Sequence, residues 1–358
     1  MANNLALRDR DAIETAEGLI FRVFGYSHPS NAYICDAEYA SAKIFQSKDP
    51  RAPREGKEQL YYKFYNDEGM KLVAKRYPQY LVFHEMLGLS LVGVKTDAIA
   101  QARKPEVRLQ ELLKMGPTDP LLAAMERVLN IALDNSGLKS SDFGVFGSML
   151  HSFHHPKYSD IDFIIYGKEQ NAKVRRALQT LYADKNSGLS NEFKSEQAMA
   201  GKDWRFQNFT VEDSVWHQRR KMIYGLYDDR ANSGRIIKAE FEPVKAWSEI
   251  QSEYHPRTCI TRRGWVKLKA RITSDDEAPF IPSIYSIEPL EVISGPKEAL
   301  EAQRVFSFME EFRQQAQRDE VVIVEGNLEE VISPTDSFYQ VTLTYCPRYY
   351  EQVLKVQH

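Results

Sequence analysis

The stretch FGSMLHSFHHPKYSDIDFIIYG, residues 146–167, sets two aspartates one residue apart at the head of an apolar run, with eleven residues between them and an upstream Gly-Ser pair. A buried strand normally excludes carboxylates, because an unpaired charge is costly to remove from water. Strand alternation puts Asp160 and Asp162 on one face and Ile161 and Phe163 on the other. Two carboxylates on one face can hold the same hard cation, and Mg²⁺ is usually bound by one or two carboxylates plus substrate phosphates. Upstream, FGVFGSML reads as a short strand ending at Gly147, with Ser148 opening a helix. Free N–H groups at a helix start favour phosphate. Gly147 lets the backbone approach closely, and the Ser148 hydroxyl adds a donor. The pattern reads as a phosphate grip beside a metal grip.

The rest of the chain sets bounds on that reading. Its 358 residues are enough for two or three domains, with 43% apolar and 27% charged residues and a formal charge of −3. Any basic surface is therefore local. Cys35, Cys259 and Cys346 are few and far apart, which argues against a disulfide framework or a cysteine zinc site and points to a reducing, cytoplasmic setting. The opening MANNLALRDRDAIETAEGLI mixes charges before any apolar run and does not read as a signal peptide. No apolar run is long enough to span a membrane.

Periodicity divides the chain into three regions. Residues 1–104 read as a mixed α/β domain: GLIFRVFGY, AYICDAEYA, YLVFHE and LSLVGVK as strands, NDEGMKLVAKRY as a short helix. The polar, Pro- and Gly-punctuated DAIAQARKPEVRLQELLKMGPTDP reads as the boundary. Residues 105–246 read as a second domain, whose pattern from about 118 is helix, strand, loop, strand, helix and a last strand. It opens with DPLLAAMERVLNIALDNSG, a helix with Asp at its start and Gly at its end. Residues 247–358 form a β-rich, barrel-like domain, with one helix expected over PKEALEAQRVFSFMEEFRQQAQRD. The expected class is α+β and multidomain.

The central stretch resembles the signature of the DNA polymerase β-like nucleotidyltransferase superfamily: hydrophobic-Gly-Gly/Ser, about ten residues, then Asp-hydrophobic-Asp/Glu. The whole chain also resembles archaeal proteins described as predicted nucleotidyltransferases. The resemblance implies a central mixed sheet with packed helices, two Mg²⁺ or Mn²⁺ ions, and transfer of a nucleoside monophosphate from a nucleoside triphosphate with loss of pyrophosphate. It also implies a third carboxylate on a neighbouring strand. GRIIKAEFEPV supplies candidates, since Lys238, Glu240 and Glu242 share one face. Glu240 is expected to complete the metal set, with Glu242, placed at a strand end before Pro243, as second choice. Lys238 in that place would mean altered or lost catalysis.

Other residues widen the picture. His151, His154 and His155 lie in the loop between the halves of the signature, where they read as polar loop residues near the triphosphate or as loop filling. TVEDSVWHQRRKMIYG reads as a helix capped by Thr210 and Asp213, whose Arg219, Arg220 and Lys221 form a basic cluster. Arg219 and Lys221 are expected to meet the nucleotide, against the simpler reading of a solvated helix face. In GWVKLKARI, Trp265, Lys267, Lys269 and Arg271 share one strand face. An aromatic in a row of cations is how single-strand binders stack bases and neutralise phosphates, and the same row can also guard an edge strand. The expected acceptor is a nucleic-acid end, RNA or DNA. A small-molecule or protein acceptor is the first alternative, and a non-catalytic nucleic-acid-binding protein the second.

Overall fold

The structure, a computed structural model, describes residues 6–56, 59–200, 205–255 and 257–357. Among them the chain builds six α-helices and three sheets, an α+β arrangement. It divides into two compact units, residues 1–177 with 227–251, and residues 178–226 with 252–358. No helix among the described residues is long and apolar enough to cross a membrane.

In the first unit, Leu19–Val23 is buried at every position and pairs antiparallel with Ala32–Ser41 and with Ala12–Glu14. Helix Glu68–Arg76 covers this sheet, setting Leu72 and Val73 into the core of Leu19, Phe21 and Val23. The strand Leu60–Lys63 joins the far end of Ala32–Ser41, with Tyr39 opposite Lys63 and Ser41 opposite Tyr61.

The stretch read as a boundary, Asp97 to Pro120, is packed structure. Gln101–Arg103 pairs with Ala12–Glu14, and helix Pro105–Met115 lies so close to the next sheet that a Cβ on Gly144 would sit 2.7 Å from Pro105. The helix expected after it forms as read, over Pro120–Ser136. Asp119 Oδ1 accepts the Leu121 and Leu122 N–H groups at 2.8 and 3.1 Å, and Gly137 ends the helix at φ +67°. Beyond it, the aspartate strand Ile161–Tyr166 lies between Phe143–Val145, antiparallel, and the glutamate strand Ile236–Val244, parallel. Phe163 stacks on Phe241 at 5.5 Å on the apolar face of this sheet.

In the second unit, Cys259–Glu277 pairs with both Ser283–Ser294 and Val321–Ile332. The ladder continues through Ala302–Ser307 and Ser337–Leu343 back to Val321–Ile332, so the hydrogen-bonded path returns to its start. Val266, Leu268, Ala270 and Ile272 point inward, each fully buried. Helix Val211–Arg220 carries the expected capping box between Thr210 and Asp213. Its His217 donates from Nδ1 to the Asp213 carbonyl at 2.7 Å and accepts the Val356 N–H at 3.1 Å.

One expected element is absent. Residues 296–319 do not form a helix: short 3₁₀ turns at Lys297–Glu301 and Glu310–Phe312 flank a strand, Ala302–Ser307. Helix propensities differ by at most about 0.7 kcal/mol per ordinary residue, whereas burying Val305 and Phe306 contributes roughly 1.5–3 kcal/mol each. Both are buried in the sheet. Tertiary burial therefore overrides the Glu-, Gln- and Ala-rich local preference.

Candidate active site

The parallel register decides which acidic residues meet. Asp162 lies directly opposite Glu240, and Ile161 opposite Ala239. The same register continued by one residue sets Lys238 opposite Asp160. Lys238, Glu240 and Glu242 occupy the face expected for them, while Ile237, Ala239 and Phe241 are buried on the other.

Burial raises the Asp162 carboxyl well above the usual range, and the nearby Glu240, Asp160 and Glu242 charges push it the same way; Lys63 alone among its main neighbours opposes them. Gly147 explains part of this crowding. It sits at φ +59°, the left-handed region that favours glycine, and a Cβ there would overlap Asp162 Oδ2. The turn thus needs glycine for its backbone angle and for the carboxylate pressed against it. Ser148 follows, half-buried in the short helix Gly147–Leu150, its carbonyl accepting the Phe153 N–H at 2.8 Å. The Phe146 N–H donates to the Asp162 carbonyl at 2.8 Å, locking the glycine turn to the aspartate strand.

Cations answer the carboxylates. Lys238 Nζ lies 2.5 Å from Glu240 Oε1. Arg235 approaches Asp160 Oδ1 at 4.0 Å while donating to the Pro156 and Ser159 carbonyls. Asp160 is exposed, Asp162 and Glu240 half-buried. Among the described residues, no three His, Cys, Asp or Glu side chains converge closely enough to form a ready-made metal cluster. The donors present are hard carboxylate oxygens, the chemistry that suits Mg²⁺ or Mn²⁺.

Glu242 differs from the sequence expectation. The glutamate strand continues through Pro243 to Val244, so Glu242 is interior, 8% exposed, and bound to Arg10 Nη2 at 2.5 Å. A parallel neighbour and a buried cation hold it there, and proline does not end the strand.

The loop histidines have contacts of their own. His151 is buried against Tyr39 and Phe153, and burial together with Arg103 lowers its pKa to about 3. His154 Nε2 meets Asp119 at 3.0 Å, and His155 stacks on Tyr158.

The remaining predicted residues belong to the second unit. Arg219 donates to the Phe193 and Lys194 carbonyls at 2.9 and 3.2 Å. Lys221 is fully buried, donates to the Glu311 carbonyl, and is lowered by burial to a pKa of about 7. Trp265, Lys267, Lys269 and Arg271 do share the outward face. Trp265 Nε1 donates to Glu325 at 3.0 Å, Lys267 pairs with the same carboxylate at 3.2 Å, and Arg348 covers the indole ring at 3.8 Å. Arg271 reaches Glu288 at 3.8 Å. Lys267 and Arg271 are thus paired with acids, and one side of the Trp265 ring is already occupied.

Sequence reasoning missed Arg10, Lys63 and Arg235. Arg10 stood in the mixed-charge RDRD run, whose only reading was that it excludes a signal peptide. Arg235 lies in GRIIKAEFEPV beside the acidic candidates but has no role in that reading, and nothing near Lys63 in the sequence marks it.

No family model and no solved structure matches the chain. It is 28% identical over 340 residues to an uncharacterized protein of Methanocaldococcus jannaschii, covering 94% of each chain.

Proposed function

We propose that this protein is a metal-dependent nucleotidyltransferase, with the sheet around Ile161–Tyr166 as its catalytic core and the closed strand ladder of the second unit as a barrel. The observation that carries the reading is Asp162 set opposite Glu240 on parallel strands with the Gly147 turn against its carboxylate. Structural acidic pairs are normally matched by cations; here burial and three like charges crowd one carboxyl, as a cation-binding cluster requires.

Asp160, Asp162 and Glu240 would hold Mg²⁺ or Mn²⁺, with Glu240 released from Lys238. When bound, the metal supplies activation of the attacking oxygen and charge neutralisation on the leaving group. The Gly147 turn and the Ser148 hydroxyl would contact the triphosphate. An acceptor hydroxyl oxygen bonds to the α-phosphorus and its proton passes to solvent, while the bond to the β-phosphate breaks and pyrophosphate departs. A nucleic-acid end, RNA or DNA, is the favoured acceptor; a small molecule or protein is the alternative. The outward face of Trp265, Lys267, Lys269 and Arg271 supports the nucleic-acid reading only where a polyanion displaces Glu325 and Arg348 from it.

The Lys238–Glu240 pair favours a second reading, a nucleic-acid-binding protein that keeps the fold without catalysis. The test incubates the protein with each labelled nucleoside triphosphate, Mg²⁺ or Mn²⁺, and total RNA. Label entering RNA with the parent and none with Asp162→Asn supports the enzyme. No pyrophosphate release with any triphosphate, together with salt-dependent RNA binding, overturns it in favour of the binder.

A further inference from the structure

The N-terminal sheet turns one face towards the signature loop. In the antiparallel pairing of Leu60–Lys63 with Ala32–Ser41, Tyr39 stands opposite Lys63 and Ser41 opposite Tyr61, so Tyr39, Tyr61 and Lys63 share that face. The Tyr61 ring lies 4.7 Å from Phe153, and the Tyr39 ring lies 5.5 Å from Phe153 and 5.3 Å from His151. These contacts clamp the sheet onto the loop between the Gly-Ser turn and the aspartates. Lys63, directly opposite Tyr39 on the same face, is thereby held among the groups of Tyr39, Glu38 and, next, Asp162. Lys238 and Arg235 are committed to Glu240 and Asp160. Lys63 is different: among the described residues its ammonium makes no ion pair and no hydrogen bond. A half-buried ammonium held close to carboxylates yet bonded to none is placed for a ligand that brings its own anionic oxygens.

We infer that Lys63, contributed by the N-terminal sheet, is the phosphate-binding cation of the proposed site, engaging the anionic oxygens of the nucleoside triphosphate beside Asp162. This rests on the nucleotidyltransferase reading and deepens it, because it gives the N-terminal region a direct part in substrate binding. It also predicts effects of opposite sign. A cation beside the carboxylates repels a metal ion and attracts a polyphosphate. Removing it should therefore tighten the first and loosen the second.

The experiment measures Mn²⁺ alone, and inorganic tripolyphosphate with Mn²⁺ present, by calorimetry on the parent, Lys63→Met and Lys63→Arg. Lys63→Met is expected to bind tripolyphosphate about tenfold more weakly, and Mn²⁺ severalfold more tightly, as loss of one nearby unit charge dictates. Lys63→Arg should retain tripolyphosphate binding. If Lys63→Met binds tripolyphosphate like the parent, or if both affinities fall together, Lys63 is not the phosphate cation. If the parent itself binds neither Mn²⁺ nor tripolyphosphate, the nucleotidyltransferase reading fails, and this inference falls with it.

Discussion

Two acidic groups of the first unit lie on the same strand and meet opposite surroundings. Glu242 belongs to a buried network built from the N-terminal RDRD run. Arg10 binds Glu242 at 2.5 Å, Arg8 binds Glu106 at 3.2 Å, and Asp11 meets Lys104 at 3.6 Å. Arg8 also lies over the Tyr166 ring at 3.7 Å and donates to the Lys245 carbonyl. Each acid there has a cation aimed at it. Two residues earlier, Glu240 faces Asp162 across the sheet, and Asp162 is pushed up by burial and by three other carboxylates. Glu242 meets one buried cation, whereas Glu240 meets Lys238 in a setting where its neighbour Asp162 is crowded by like charges.

The largest effect should come from breaking the matched side. Glu242→Gln removes the carboxylate 2.5 Å from the fully buried Arg10, keeps Asp9 at 3.8 Å beside it, and should cost about 3 kcal/mol in chemical denaturation, the lower end of the usual penalty for breaking a buried pair. Glu240→Gln should cost little stability. If the two variants denature alike, the contrast between the acids is false.

The second effect belongs to the crowded side. Saturating Mn²⁺ should raise the melting temperature of the parent by an amount equivalent to about 2.7 kcal/mol at a hundredfold excess over Kd. Glu240→Gln and Asp162→Asn should abolish that gain, and turnover with it, while Glu242→Gln preserves the proportional response. An equal Mn²⁺ shift in Asp162→Asn would remove the metal from the site.

A third, smaller effect concerns pH without metal. The Asp162 carboxyl is raised, so the folded chain keeps a proton that the unfolded chain has already lost. Stability therefore falls as pH rises from about 4, the ordinary carboxylate value, towards the folded value. Asp162→Asn escapes this loss, so it should be the more stable protein at pH 7 and show no advantage below about pH 4. A variant less stable than the parent at pH 7 would mean that Asp162 is held by attraction.

The smallest effect is at the turn. Ser148→Ala should weaken triphosphate binding by about 1 kcal/mol, one ordinary hydrogen bond, and leave Mn²⁺ binding unchanged. Ser148→Asp, opposing phosphate with charge, should do more harm.

Much of this was legible because it depends on local rules. The aspartate strand, the Gly147 turn, the capped helix after Asp119, and the face shared by Lys238, Glu240 and Glu242 all follow from alternation and turn chemistry. Register is not local. Only the pairing of Ile161–Tyr166 with Ile236–Val244 shows that Glu240 meets Asp162 while Glu242 meets Arg10. The failed helix over residues 296–319 has the same origin: its sequence favours a helix, and distant strands bury it as sheet. Trp265 and its cations were placed on the right face, but nothing nearby in sequence announces Glu325 or Arg348.

The order in which the chain supplies its strands bears on how the protein is made. Residues 178–226 belong to the other unit, so the aspartate strand is synthesised long before its parallel partner, Ile236–Val244. A ribosome adding about 5–20 residues per second leaves that edge, with Ile161, Phe163, Ile164 and Ile165, waiting on the order of several seconds. An unpaired apolar edge invites pairing with other chains. Slowed translation between the two strands should thus raise the share of nascent protein that aggregates or is captured by chaperones, and a nascent chain ending before Glu240 cannot complete the carboxylate pair at all.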